Sequence, residues 1–156
     1  MPSMFPKLQV SALGSVTAEL LLRLLKAYSP TFKEEGAVNA LMEYASEELG
    51  LMCWKDDAGN LIARYGSGDP KIALIGHIDT VEGELPVSFD GGNLRGRGAV
   101  DAKGPLASAF VGASSVRDFL SSGTVYLIAA VGEEGPSHGA QQLIKDGWSF
   151  HHVIIL

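Results

Sequence analysis

The residues able to do chemistry fall into three short clusters. The first, GHIDT (76–80), closes the apolar run KIALI. Side chains two apart on an extended segment share a face. His77 and Asp79 therefore point the same way, with the carboxylate in reach of an imidazole N–H. A carboxylate behind a histidine is the usual outer support of a metal-bound imidazole; a polar strand end at the surface is the plainer reading.

The second cluster is GRGAVDAKGP (96–105). Its glycines let the backbone take positive φ and approach other groups closely. Asp101 stands just before a helix opened by Pro105, where the positive end of the helix favours an anion. A phosphate loop fails on spacing, because the four-residue gap before Gly-Lys-Ser/Thr is missing. The dinucleotide fingerprint fails as well, since it needs a third glycine where Asp101 stands. The bland reading is a glycine-rich turn with a capping aspartate.

The third cluster is VGEEGPSHG (131–139). Glu133 and Glu134 follow a second apolar strand, as His77 and Asp79 follow the first, and sites in open α/β sheets form at that edge. Two carboxylates desolvated together repel and raise a pKa. A divalent cation removes that penalty for the one it binds and leaves its neighbour free to take a proton. A solvated loop with paired surface charges is the alternative. Together, His77, Asp101 and Glu134 make three ligands, with Asp79 and Glu133 in supporting roles. Hard oxygens and one imidazole suit zinc, cobalt or manganese. Three ligands fit one catalytic zinc with an open position, or part of a two-metal site.

The elements that position these clusters follow from apolar periodicity. Helices are expected over Val16–Tyr28, ended by Ser29-Pro30, and over Lys33–Leu49, with Ala37, Ala40, Leu41, Tyr44 and Ala45 as the buried stripe. Strands fit Leu51–Lys55, Asn60–Tyr65, KIALI (71–75) and TVYLIAAV (124–131), the last two buried on both faces. Residues 87–98 suggest a hairpin turning at Asp90-Gly91-Gly92. A helix from about Pro105 and a short one over HGAQQLIKDG precede a final buried strand, HHVIIL. This alternation implies an α/β domain with a largely parallel, mixed sheet flanked by helices. The first fourteen residues (1–14) read as an extension, and 15–156 as the domain.

Composition narrows the class further. A chain of 156 residues with 46% hydrophobic and 19% charged residues suits one core-rich globular domain. A net charge of −6 without a basic stripe argues against nucleic acid as a partner. The single cysteine, Cys53, excludes an internal disulfide and fits a reducing compartment. No apolar run reaches the roughly 20 residues that span a bilayer, and the start is a poor secretion signal. A cytoplasmic protein with no membrane partner is expected.

GHIDTV, GRGAVDAKGPLA and VGEEGPSHGA, in this order, resemble the zinc metallopeptidase family of acetylornithine deacetylases, succinyl-diaminopimelate desuccinylases and carboxypeptidase G. SPTFKEEGAVNALMEYA, HIDTVEGELPV and AVDAKGPL look most like its acetyl-lysine deacetylase branch, hydrolases that free lysine or ornithine from an amino-group carrier protein. The resemblance implies two zinc ions per complete site, with cobalt as a substitute. His77 would bind one ion, Glu134 the other, and Asp101 would bridge both. Asp79 would orient His77, Glu133 would be the general base, and the Asp101–Ala102 peptide would be cis. Lys103 and Arg97 would pair with nearby acids. By position, His151 and His152 flank the last strand, and His138 neighbours a helix cap, with a place at the edge of the site as its alternative.

The resemblance further implies a small amino-acid-derived substrate or an acidic carrier protein, a role in lysine or arginine biosynthesis, and a homodimer at full length. The family has another acidic ligand just after the strand begun by HHVIIL, a distant final histidine and a smaller inserted domain. The chain would thus be the N-terminal portion of a zinc exopeptidase-like catalytic domain, truncated before the lid and dimerisation domain. An inactive fragment or a cation-binding module of the same fold is the rival. N-acetylornithine, succinyl-diaminopimelate or a dipeptide are the rival substrates.

Overall fold

The computed structural model describes residues 10–90 and 92–156, and the side chains from residue 14 onward. In chain order the elements are α1 (Val10–Lys26), α2 (Glu35–Glu47), β1 (Met52–Lys55), β2 (Leu61–Ser67), β3 (Lys71–His77), β4 (Ser88–Asp90), β5 (Asn93–Arg95), α3 (Lys103–Ser115), β6 (Gly123–Ala130), α4 (His138–Lys145) and β7 (His152–Ile155). A short 3₁₀ turn, Arg117–Phe119, follows α3. α1 begins at Val10, ahead of the expected Val16, so the tail of the expected extension is helical; residues 1–9 of it lie outside the described residues.

Five strands form one sheet in the order β1-β2-β6-β3-β7. β3 pairs in parallel with β6 and β7, while β1–β2 and β2–β6 are antiparallel. The sheet is mixed, and its parallel half carries the site. β4 and β5 form the expected hairpin, with Asp90 opposite Asn93.

Period-two alternation divides the core between the two faces of the sheet. On one face Leu61, Ala63, Leu127 and Ala129 pack with Leu20 and Leu24 of α1, Leu41 and Tyr44 of α2, and Leu106 and Phe110 of α3. On the other, Ile62, Ala73, Tyr126 and Ile128 pack with Leu143 of α4 and the rings of Trp54, Trp148 and Phe150. The α2 stripe differs by one position from expectation: Val38 is buried and Ala40 only half-buried.

β6 is buried along its whole length, as expected. β3 is less so, with Lys71 exposed and Ile72, Leu74 and Ile75 half-buried. β7 corrects the reading of a buried last strand: its four residues are exposed. Among the described residues it is the edge of the sheet, flanked only by β3. His151 flanks its start, accepting the Lys71 N–H at Nδ1 over 3.0 Å.

Lys103 departs from the expected pairing with an acid. It is fully buried, and its Nζ donates to the carbonyls of Leu24 and Ala27, both at 2.9 Å. It thus caps the C-terminal end of α1, where a cation is favoured. Burial alone pushes its pKa down to about 8. Arg97 likewise meets a carbonyl, donating from Nε to Gly83 O at 2.7 Å, and among the described residues neither cation is paired with a carboxylate.

Cys53 is half-buried, and burial pushes its thiol up to about 11. Thiolate is the reactive form. Alkylation by iodoacetamide at pH 8 is therefore expected to be more than about tenfold slower in the folded chain than in urea, after allowing for the higher intrinsic reactivity of a more basic thiolate. Equal rates in the two states, followed by mass spectrometry, would contradict this.

Candidate metal centre

The site forms where β3 and β6 end side by side. Their parallel register sets His77 opposite Ala130, so both chains leave the sheet at the same edge. After β6 the backbone turns at Gly132, whose φ of +71° suits glycine, and delivers Glu133 and Glu134. Asp101 arrives from the loop ahead of α3, across an Asp101–Ala102 peptide that is cis, as the resemblance implies.

One donor atom each from His77, Asp101 and Glu134 lies within 4.8 Å of the other two. His77 Nε2 sits 2.9 Å from Asp101 Oδ1 and 3.8 Å from Glu133 Oε2. Its other nitrogen, Nδ1, is 3.0 Å from the carbonyl oxygen of Asp79 and 3.4 Å from Asp79 Oδ1. The imidazole is thereby held from behind, with Nε2 turned to the acids. His77 is buried, while Asp101 and Glu134 are exposed and free to adjust. Bonds near 2 Å place two zinc ligands no more than about 4 Å apart. The donor separations of up to 4.8 Å stand somewhat beyond that, and the two exposed carboxylates are the groups that would close the gap.

The electrostatics favour a cation. Burial by itself disfavours a charged imidazole, yet hydrogen bonds to Asp79 and Asp101 and the Asp79 charge outweigh it and push the His77 pKa up to about 9. One imidazole with two carboxylates is a donor set for zinc, cobalt or manganese, so the residues present fit a divalent metal.

Asp79 does more than support a histidine. It is wholly buried, accepts the Thr31 hydroxyl at 2.8 Å on Oδ2, and receives the N–H groups of Glu133 and Glu134, each at 3.0 Å. Burial alone would raise its pKa, but the hydrogen bonds from His77, Thr31 and these two amides hold it below 3.8. Thr31 was not foreseen from the sequence. Its only trace there was the SPTFKEE stretch, singled out by resemblance without a role.

A cavity of about 450 Å³ opens beside the centre, lined by Asp101, Glu134, Thr80, Val81, Leu85 and Arg97 among others. Its lining combines acids, apolar side chains and a guanidinium. His138, expected near a helix cap, opens α4 and stacks on Phe32 with ring centroids 5.3 Å apart.

The α/β sheet thus gathers an imidazole and acids at the carboxyl ends of its parallel strands. The chain belongs to Peptidase family M20/M25/M40, which it matches over residues 73–155. It is 43% identical over 141 residues to a putative [LysW]-lysine/[LysW]-ornithine hydrolase of Aeropyrum pernix, covering 90% of this chain and 40% of that protein. To the [LysW]-lysine hydrolase of Deinococcus radiodurans it is 41% identical, covering 67% of this chain and 29% of the relative. Among solved structures it is similar to aminopeptidase PepT of Bacillus cereus, with a TM-score of 0.73 and 25% identity over 92% of this chain and 43% of that one. A dinuclear metal binding peptidase of Bacillus subtilis shares the fold, with a TM-score of 0.67 and 17% identity over 93% and 43% of the two chains. The chain thus spans about two fifths of the length of the Aeropyrum relative. No helix among the described residues is long and apolar enough to cross a membrane.

Proposed function

We propose that the protein is a zinc-dependent amide hydrolase that releases lysine or ornithine from an N-acylated or carrier-protein-linked form, in amino-acid biosynthesis. The observation that carries this is the convergence of His77, Asp101 and Glu134 donors from three separate segments, with the Glu133 carboxylate beside them. The names of the relatives supply the substrate class: a lysine or ornithine residue on the carrier LysW.

His77, Asp101 and Glu134 would be the residues that hold the divalent metal. The group those residues would hold would supply Lewis acidity, lowering the pKa of a coordinated water to about 7 and polarising the scissile carbonyl. Glu133 takes the proton of the attacking water and returns it to the leaving amine, as a general base and then acid. Asp79 keeps His77 in the tautomer and orientation that leave Nε2 free for the ion. Arg97 and the apolar wall of the cavity receive the amino-acid part of the substrate, the guanidinium facing its carboxylate.

Cobalt titration of the purified chain, followed by amide hydrolysis of an Nα-acyl-lysine in its presence, tests this reading. His77→Ala is expected to weaken cobalt binding by more than about 100-fold, beyond the 10- to 100-fold typical of losing an outer supporting group. Equal binding by the variant would remove His77 from the ligand set. Tight, His77-dependent binding with the amide intact after long incubation would favour a cation-binding module.

A further inference from the structure

The SPTFKE segment (29–34) joins α1 to α2 and contains none of the proposed ligands. It is nonetheless fastened to both strand ends of the site. Ser29 Oγ donates to Ile78 O at 2.8 Å, and Thr80 N donates to Ser29 O at 2.9 Å. Thr31 N returns a bond to Thr80 O at 3.3 Å, and Pro30 bridges Thr80 as a parallel strand would. The segment runs beside GHIDT as a short accessory strand.

Its last residue reaches the other strand end. Glu34 is 6% exposed, and one oxygen, Oε1, accepts the N–H groups of Phe32 at 2.9 Å and Gly132 at 3.1 Å. Glu133 N and Glu134 N go to the two oxygens of Asp79. Three successive amides, 132 to 134, are therefore gripped by two buried carboxylates. Consecutive N–H groups converging on anions in a turn with a left-handed residue form a concave cradle of partial positive charge. Here the cradle is filled by the protein's own acids. Stacking of Phe32 on His138 holds the far side of the same loop.

The geometry points to Glu34 as a positioning residue for the Glu133–Glu134 pair. It fixes the Gly132 amide and so sets where the two carboxylates leave the turn, without itself touching the metal or the substrate. This rests on the reading that Glu133 and Glu134 act at a metal centre. The Asp79 grip fixes the second and third amides and Asn60 Oδ1 accepts the Val131 N–H before them, while the Gly132 N–H between goes to Glu34. Gly132 O is held separately, by Ser137 N at 2.7 Å, so without the Glu34 carboxylate it is the Gly132 N–H that loses its acceptor, at a residue that resists local rotation less than any other.

The test uses the whole chain with cobalt as the probe. Glu34→Ala is expected to weaken cobalt binding about tenfold, the low end of the effect of an outer supporting group, and to alter the visible cobalt spectrum. Glu34→Gln, which keeps an acceptor oxygen, is expected to stay within about threefold of wild type on the same scale. Leu41→Ala, a core truncation in α2 that removes no bond to the 132–134 amides, controls for lost stability and should leave the spectrum unchanged. Amide hydrogen exchange at Gly132 without metal reads the grip directly and should rise in Glu34→Ala only. A folded Glu34→Ala chain with wild-type cobalt affinity and spectrum, or with Gly132 as protected as in wild type, overturns the proposal. Should Glu34→Ala not fold, Glu34→Asp takes its place: charge is kept but reach is lost, and unchanged exchange at Gly132 is again fatal. If the wild-type chain binds no cobalt, the metal reading fails on its own, while the exchange data still decide whether Glu34 holds the turn.

Discussion

Glu133→Gln is expected to lower kcat by about 1,000-fold, in the middle of the range typical for losing a positioned general base, with metal affinity and KM within a few fold of wild type. The reason lies in how differently the structure treats two adjacent glutamates. Glu133 Oε2 stands 3.8 Å from His77 Nε2, beside the donor cluster. Glu134 supplies a member of that cluster. Glutamine matches glutamate in size and keeps the backbone N–H that Asp79 holds at 3.0 Å, but its amide cannot accept the proton of an attacking water. Glu134→Gln should behave differently. A neutral amide oxygen is a poorer ligand, so its defect should appear in metal affinity and recover in part as cobalt is raised. The comparison needs a form that turns over an acyl-lysine, whether this chain alone or joined to the further length its relatives possess. Turnover of Glu133→Gln within a few fold of wild type would show that the proton goes elsewhere.

The five residues at the centre were legible because strand ends in α/β sheets are predictable places. Each of the three clusters mixes polar groups with glycine directly after an apolar run, and such contrast survives in one dimension. What was not legible is what holds them. Thr31 and Glu34 reach across 48 and 98 residues to Asp79 and Gly132, and a single hydrogen bond to a distant amide leaves no periodic trace. Lys103 misled for a related reason. Two residues from Asp101, it looks like a partner for acids, yet it runs to the end of α1. A better signal was present: the first helix runs toward Ser29-Pro30 without a glycine or asparagine to satisfy its last carbonyls, and those orphan acceptors need a donor. The sheet hid its order in the same way. Residues 68–70 are a short enough link to suggest a β2–β3 hairpin, but β6 enters between the two strands, with Thr124 N bonded to Pro70 O at 2.9 Å. Pairing with a strand more than fifty residues downstream is decided by the whole core.

Asp79→Ala is expected to damage stability and metal binding together, because one carboxylate serves both. Asp79 is 0% exposed, and its removal strips the acceptor from the Thr31 hydroxyl and from two interior-facing amides. Uncompensated buried donors cost about 1–3 kcal/mol each, and breaking a buried charged network about 3–5 kcal/mol in total. For a chain of this size that corresponds to a fall in Tm of about 10 °C. Loss of the group behind His77 should also weaken cobalt binding by about 10- to 100-fold. Asp79→Asn separates charge from shape. One of its amide positions must present N–H groups to an N–H, so it should recover only part of the stability. The acid limb gives an independent check. The folded-state pKa of Asp79 lies below the ordinary 3.8, so its contribution is complete above that value and is lost as pH falls through the lower folded pKa. Over that window the unfolded chain binds the extra proton, and stability falls with decreasing pH by up to about 1.4 kcal/mol per pH unit from this one group. Asp79→Asn has no such proton to bind, and its plot of unfolding free energy against pH should be correspondingly flatter below pH 3.8. A variant with parental Tm, parental cobalt affinity and an unchanged acid limb would mean that the strand ends are held together by something other than this carboxylate.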